Sequence, residues 1–184
     1  MNLNRKPTKE ILPRFEALVD DYIRELDGFT MEQLRQKPED GGWSIGQMYQ
    51  HLIQSALYMQ LANAATCLQE SSDPALAPAG KTEAGNAVYA QGEFPPIRIQ
   101  VPPSPQYTPA EPESKEALVQ GLKRVVARMK ELEPMLAGAS LLKGVAHPSF
   151  GVLNAEEWFI LVPMHYRHHL RQLDRLKQEL AFHV

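Results

Sequence analysis

The amino-acid sequence predicts an all-α fold, a four-helix bundle, on three observations. Four long segments repeat apolar residues with the 3.6-residue period of an amphipathic helix. No segment shows the sustained apolar–polar alternation that is typical of a half-buried strand. Nine of the 15 prolines fall between Ser71 and Glu113, which separates the second long helix from the third. Because a long crossover can return the chain to the same end of a bundle, we predict up-down-down-up order with a Pro-rich crossover over residues 71–113.

Capping residues place the starts of the first two long helices. The first is predicted from about Thr8 to Asp27, and the second from Ser44 to about Glu70. A short helical turn lies between them. Two capping boxes are present, one at this turn and one at the second helix: Thr30 with Gln33, and Ser44 with Gln47. On a regular helix, the inward face of the second helix holds the following residues: Ile45, Met48, His51, Leu52, Ser55, Met59 and Ala62.

The third and fourth helices follow the crossover. The third is predicted over residues 114–137, with Gly138 as its stop. The fourth begins after Asn154, with Glu157 at its third position, and continues to about Leu180. Within the crossover, two short stretches are β-prone: Val88-Tyr89 and residues 97–101.

The composition excludes several classes of protein. The chain has 184 residues, of which 43% are hydrophobic and 22% charged, so we expect one soluble domain over residues 1–184. A net charge of −3 argues against a nucleic-acid partner bound through its phosphates. No apolar run could span a membrane and no apolar signal segment is visible, so we expect a cytoplasmic protein. The single cysteine, Cys67, rules out an internal disulfide and a cysteine-based zinc site.

Three of the six histidines crowd into one turn of the fourth helix: His165, His168 and His169. On a helix, His165 and His169 lie about 40° apart in azimuth and about 6 Å apart along the axis, so both imidazoles can face one ion. Three arginines mark the outer face of this helix: Arg167, Arg171 and Arg175. His51 falls on the inward face of the second helix. Neutral imidazole is a good ligand for zinc, nickel, iron or copper, and three protein ligands leave a position open for water or substrate.

Less specific interpretations of the polar residues stay open. A histidine on an apolar face is commonly a hydrogen-bonded core residue, and two histidines four apart also occur by chance on surfaces. His168 is interpreted as a neighbour of the site or an interface residue, with a ligand role as the alternative. His147 either caps the turn before the fourth helix or approaches the open side of a metal. Gln172, one turn beyond His168, could hydrogen-bond a ligand.

Several blocks of sequence resemble a known family. Residues 42–52 read GWSIGQMYQHL and are similar to the W-S-x-x-E-x-x-x-H-L segment of the DinB/YfiT-like family of metal-dependent enzymes. Residues 147–151 read HPSFG, residues 156–158 read EEW, and residues 165–172 read HYRHHLRQ. These are similar to the C-terminal stretch of the family, H-P-x-F-G, E-W and H-x-x-H-H-x-x-Q. The Pro-rich Phe94-Pro95-Pro96 region is similar too, so the resemblance covers nearly the whole chain.

This resemblance implies a fold, a ligand set and a class of reaction. The fold is an up-down-down-up helical bundle, and the ligands carried over to this chain are His51, His165 and His169. The expected cofactor is zinc or nickel, with iron or manganese as alternatives, and members are often homodimers. Characterised relatives include bacillithiol or mycothiol S-transferases and a mycothiol-dependent isomerase, so a low-molecular-weight thiol is a candidate co-substrate. Many members have no known reaction.

Two residues depart from the family pattern. Gln47 stands where the family usually has Glu, which changes the local charge but keeps the capping box. Pro163 lies inside the fourth helix, two residues before His165, where it removes one backbone hydrogen bond. The remaining candidates are interpreted as structural: Trp43 and Trp158 as core anchors rather than substrate platforms, Cys67 as a small buried hydrophobe, and His183 as part of the tail.

The function that we expect from the sequence is a metal-dependent transferase or hydrolase that activates a thiol or water for a small-molecule substrate. Two alternatives remain: a non-catalytic metal-binding protein whose ion stabilises the bundle, and a helical interaction protein that binds no ion. A stabilising ion would favour a fourth protein ligand, for which His147 is the best candidate. Because free imidazole titrates near pH 6.5, we expect metal to be lost below about pH 6.

Overall fold

A computed structural model of the chain describes residues 10–69, 80–97 and 108–181, and this part is mostly helical. Within these ranges, seven α-helices follow in chain order: α1 Ile11–Asp27, α2 Met31–Arg35, α3 Ile45–Ser55, α4 Leu61–Leu68, α5 Glu83–Gln91, α6 Lys115–Leu136 and α7 Ala155–Ala181. A π-helical turn, Ala56–Gln60, joins α3 to α4. The strands β1 Val145–His147 and β2 Gly151–Leu153 form an antiparallel hairpin before α7. The expectation of a mostly helical protein is confirmed, and the up-down-down-up order stays a prediction.

The long helices share one hydrophobic core. Helix α1 packs on α6, α4 packs on α7, and α3 contacts both α6 and α7. Gly121 allows the close approach of α6 to α3, because a Cβ atom there would lie 2.6 Å from the Ile53 side chain. Large aromatic side chains fill the centre, all fully buried: Phe15, Tyr22, Tyr49, Trp158, Phe159 and Tyr166. No helix in the described ranges has both the length and the apolarity that a membrane crossing requires.

Helices α2, α3 and α7 begin where the capping residues predicted, whereas α1 begins at Ile11, later than predicted, with Glu10 before it and no side-chain cap. Thr30 and Ser44 each form a complete capping box, with Gln33 and Gln47 as the respective partners. At the start of α7, the Asn154 side chain accepts from the Glu157 backbone N–H at 3.0 Å, and the Glu157 carboxylate accepts from the Asn154 N–H at 2.9 Å. The predicted N-cap Thr8 and the predicted helix end Glu70 lie outside the described residues, as do His183 and residues 98–107 of the crossover.

The second predicted helix is not regular, because the π-helical turn interrupts it. Leu61 donates its backbone N–H to the carbonyl of Ala56, five residues earlier, where an α-helix would use the residue four earlier. The extra residue rotates everything after it by about 100° relative to α3. The prediction that Ala62 faces inward is therefore wrong: Ala62 is exposed and Met59 is only partly buried, whereas Gln60 and Leu61 are buried.

The crossover contains structure that the sequence pattern did not predict. The β-prone pair Val88-Tyr89 lies in helix α5, which Thr82 caps and Gly92 ends in a left-handed conformation with φ 74°. A local capping residue and a terminal glycine therefore outweighed the β propensity of two residues. The hairpin of strands β1 and β2 is also unpredicted, and the crossover meets β2 through a bridge between Lys81 and Gly151.

The end of the crossover is tied to the start of α3. The Gln47 side-chain N–H donates to the Pro109 carbonyl at 2.7 Å, and the Ser44 hydroxyl donates to Glu111 at 3.0 Å. Lys37 contacts both the Gln47 amide oxygen and the Glu111 carboxylate. These contacts fix the N-terminal end of the helix that carries His51.

Candidate metal centre

Three histidines from two helices meet in the interior of the molecule. The His165 Nε2 atom lies 3.1 Å from Nε2 of His51 and 3.0 Å from Nε2 of His169. The ligand nitrogens of all three residues lie within 4.8 Å of one another. The spacing of four residues on α7 brings His165 and His169 together, and the packing of α3 on α7 adds His51. We call these residues the three-histidine cluster.

The separation of the nitrogens fits a bound metal ion. Zinc–nitrogen bonds of 2.0–2.1 Å in tetrahedral geometry place two ligand nitrogens about 3.3 Å apart. The two Nε2–Nε2 distances in the cluster fall within a few tenths of an ångström of that value. Histidine nitrogens are also the donors that zinc, nickel and iron accept. The donor set and its spacing therefore suit a divalent cation of this group.

The second nitrogen of each imidazole has a side-chain neighbour. Nδ1 of His169 lies 2.7 Å from the Gln172 amide oxygen, and Nδ1 of His165 lies 3.2 Å from the Gln60 amide nitrogen. Nδ1 of His51 lies 3.4 Å from the Ser55 hydroxyl. Contacts of this kind orient a metal-binding imidazole and leave its Nε2 atom directed at the ion.

The cluster favours neutral imidazoles. Burial lowers the pKa of His51 to about 4 and, together with the neighbouring His51, lowers that of His169 to about 3. The pKa of His165 lies well below its usual value, because of burial first and of the other histidines next. A neutral ring keeps a lone pair, which is the form that binds metal, so the low pKa values keep the cluster ready to bind at neutral pH.

Aromatic side chains stand beside the cluster, two of whose histidines are partly exposed. His51 and His165 are partly exposed, whereas His169 is only 8% exposed. The Trp43 ring lies 4.8 Å from the His51 ring, and the Phe94 ring lies 6.1 Å from the His165 ring. Trp43 is therefore a neighbour of the site and not only a core anchor, whereas Trp158 is fully buried in the core as predicted.

The other polar candidates fall around the cluster. His168 packs its ring on Phe94 at 5.3 Å and stands beside His169, but it is not one of the three converging residues. The Nδ1 atom of His147 accepts hydrogen bonds from the backbone N–H groups of Ser149 and Phe150. Of the two roles considered for His147, these contacts correspond to capping the turn. Gln172 contacts a histidine of the cluster, as its spacing suggested.

Two of the remaining predicted residues, Cys67 and Pro163, lie on helices α4 and α7. Cys67 is 1% exposed on α4, where burial raises the pKa of its thiol to about 11, and its sulfur contacts the Leu153 carbonyl. The prediction that Cys67 is a small buried hydrophobe is confirmed. Helix α7 continues through Pro163.

The residue that sequence reasoning missed is Gln60, which a regular helix would have placed about 180° from His51.

The arrangement defines a mostly helical protein with a three-histidine cluster that could hold a metal. A model of the DinB superfamily matches residues 14–173. The chain belongs to the DinB superfamily, which confirms the DinB-like assignment that the sequence motifs suggested. Searches of curated proteins and of solved structures found no match.

Proposed function

We propose that the protein is a metal-dependent enzyme in which His51, His165 and His169 hold a divalent cation and a thiol or water occupies an open coordination position. One observation carries the proposal: two Nε2–Nε2 distances of 3.0 and 3.1 Å bring the three residues together, while side chains of the same protein contact each Nδ1 atom. A cluster oriented on both sides in this way is typical of a metal site.

The charge of the cluster supports activation of an acidic ligand. In the described ranges, the group of potential ligands consists of three histidines, each neutral in its metal-binding form. A divalent cation bound there would act as a Lewis acid and lower the pKa of a thiol or a water molecule. Because neutral ligands leave the charge of the cation uncompensated, the protein favours an anion at the remaining position.

The surroundings of the cluster favour a small organic substrate. Trp43 and Phe94 place aromatic rings next to His51 and His165, which are both partly exposed. His168 lies next to Phe94 and is partly exposed, so it could hydrogen-bond a polar group of the substrate. Aromatic walls with a few polar groups are the usual lining of a small-molecule site. The choice between thiol S-transfer and hydrolysis rests on the resemblance alone, and the thiol S-transferases among the resembling proteins are the reason to test a thiol first.

Cobalt(II) provides a direct test of the thiol proposal. Purified protein is first analysed for bound metals, and the metal-free protein is then loaded with cobalt(II) and mixed with a small thiol. A sulfur-to-cobalt charge-transfer band in the near ultraviolet is expected for the wild type and not for His51→Ala. If several thiols at millimolar concentration leave the cobalt spectrum unchanged, thiol activation is wrong and water activation or a non-catalytic site remains.

A non-catalytic metal site is the second candidate, because the cluster joins two helices. His51 belongs to α3 and the other two histidines belong to α7, so a bound cation would cross-link the core. A structural ion should raise the melting temperature strongly but leave no coordination position for an added ligand. A large thermal shift, combined with a cobalt spectrum that neither thiols nor azide can change, would favour this candidate over the enzyme.

A further inference from the structure

The π-helical turn brings Gln60 against His165, and we propose that Gln60 sets the tautomer of this histidine. The Gln60 amide donates to Nδ1 in the metal-free protein and, rotated by half a turn, accepts from Nδ1–H when Nε2 binds a divalent cation. Gln60 is 2% exposed, and its Nε2 atom lies 3.2 Å from Nδ1 of His165. The inference rests on the proposed metal-binding function of the three-histidine cluster.

The metal-free hydrogen bonds follow from the contacts of His169. The Gln172 amide oxygen, 2.7 Å from Nδ1 of His169, can only accept, so His169 carries its proton on Nδ1 and has a lone pair on Nε2. Nε2 of His165, 3.0 Å away, can donate to that lone pair. His165 then accepts at Nδ1 from the Gln60 amide N–H. Every contact in this chain pairs one donor with one acceptor, and the same Nε2–H of His165 also faces Nε2 of His51 at 3.1 Å.

Metal binding reverses the role of Nδ1 in His165. An imidazole that binds a cation through Nε2 must carry its proton on Nδ1, which then needs an acceptor. The Oε1 atom of Gln60 is buried and has no hydrogen-bond partner in the part of the chain that the structure describes. Rotation of the amide about the Cγ–Cδ bond places this oxygen at Nδ1. An amide therefore serves both tautomers without adding a buried charge, whereas a carboxylate could only accept.

The π-helical turn is what positions Gln60 for this role. Gln60 lies nine residues after His51, which on a regular α-helix places it about 180° away, among the core residues. One extra residue in the turn reduces the angle to about 80° and brings the amide to the side of the cluster. The same rotation turns Leu61 into the core, where it is fully buried.

Substitutions of Gln60 test the proposal through the tautomer as well as the metal affinity. Imidazole 15N chemical shifts should identify His165 as the Nε2–H tautomer in the metal-free wild type and as Nδ1–H after zinc binding. Gln60→Met has similar length and no hydrogen-bonding group, so it should lower zinc affinity by about 10- to 100-fold. Gln60→Glu should keep Nδ1–H even without zinc and restore most of the affinity. Gln54→Met, on the exposed side of α3, is the matched control and should bind zinc as the wild type does.

The outcomes separate this inference from the proposed function. A wild type that binds no zinc overturns the proposed function and this inference with it. Zinc binding that is equally tight in the wild type and in Gln60→Met overturns this inference alone. So does a metal-free wild type in which His165 is already the Nδ1–H tautomer.

Two single-residue deletions test the part played by the π-helical turn. Deleting Tyr58, which is 73% exposed, should convert the turn to a regular α-helix. Gln60 should stay at the cluster, because it would then lie eight positions after His51, which is about 80° around the helix axis. Deleting Ala62, also exposed, should regularise the helix on the other side of Gln60 and rotate the amide away. We expect near wild-type zinc affinity after the first deletion and a loss of about 10- to 100-fold after the second. Equal effects of the two deletions would overturn the proposed positioning.

Discussion

The three-histidine cluster has two halves that differ in the regularity of the helices that carry them. His165, His169 and Gln172 form the α7 half, on one continuous helix, and their contacts follow the spacing of three and four residues. His51, Ser55 and Gln60 form the α3 half, which spans the π-helical turn. Helical periodicity therefore identifies neighbouring residues as long as every turn is regular, whereas one extra residue conceals the contacts that follow it.

The largest expected effect comes from removing a cluster histidine from either half. His51→Ala and His169→Ala should each lower zinc affinity by on the order of 1,000-fold, because a cation with three protein ligands loses one of them. His165→Ala should do the same. Competition titrations with a chromophoric chelator measure these affinities, and His168→Ala is the control that should retain binding. If His51→Ala binds zinc as the wild type does, the two halves do not form one site.

The pH dependence of the unfolding free energy of the metal-free protein should show that histidines of both halves are buried in their neutral form. Because the folded pKa is about 4 for His51 and about 3 for His169, the unfolded chain binds more protons between these values and about 6.5. The stabilisation is present above about pH 6.5 and is lost as the pH falls towards 3, by on the order of 5–10 kcal/mol in total. Urea unfolding over this pH range measures the slope.

The control for this titration is His51→Gln, which should show a shallower slope than the wild type. Equal slopes would mean that His51 is not buried in its neutral form. The same low pKa values also move the expected release of metal from about pH 6, the figure for free imidazole, towards pH 4.

Replacing Gln47 by Glu, the residue usual in the family that the sequence motifs resemble, should destabilise the α3 half of the cluster. The Gln47 side-chain N–H donates a hydrogen bond to the Pro109 carbonyl at 2.7 Å. An ionised carboxylate at this position has no hydrogen to donate, so the carbonyl would lose this hydrogen bond. We expect a loss of about 1–2 kcal/mol in urea unfolding, reduced by the ion pair that Lys37 can form. Gln33→Glu, at the same position of the α2 capping box, should be near neutral. Equal stability of the two variants would contradict this account of Gln47.

The smallest effect on metal binding is expected from Cys67→Ala. The thiol is buried on α4 against the Leu153 carbonyl, so its loss should change zinc affinity by less than about twofold. Stability should fall by about 1 kcal/mol through lost packing. The variant should also keep the cobalt charge-transfer band of an added thiol. Loss of that band in Cys67→Ala would mean that the sulfur comes from the protein itself.

The sequence predicted the α7 half in detail because the relevant signals are local. Asn154 and Glu157 fix where α7 begins, and from that point the azimuths of His165, His169 and Gln172 follow. The capping boxes at Thr30 and Ser44 were predictable for the same reason. Each of these features depends on residues within a single helix or its cap.

The features that the sequence did not predict depend on contacts between distant segments. A π-helical turn costs local hydrogen-bond geometry and persists because Gln60 and Leu61 pack against α7 and the core. The tie between Gln47 and Pro109 joins residues 62 positions apart, so no local pattern indicates it. Phe94 approaches the cluster from the crossover in the same way.

The π-helical turn amounts to a one-residue insertion, and this has a consequence for how related chains should align. Relatives with a regular second helix are expected to be one residue shorter between the histidine that corresponds to His51 and the leucine that corresponds to Leu61. An alignment made without a gap there would pair Gln60 with a core residue and obscure its counterpart. In those relatives, a residue able to accept a hydrogen bond from the imidazole N–H should stand eight positions after the histidine instead of nine.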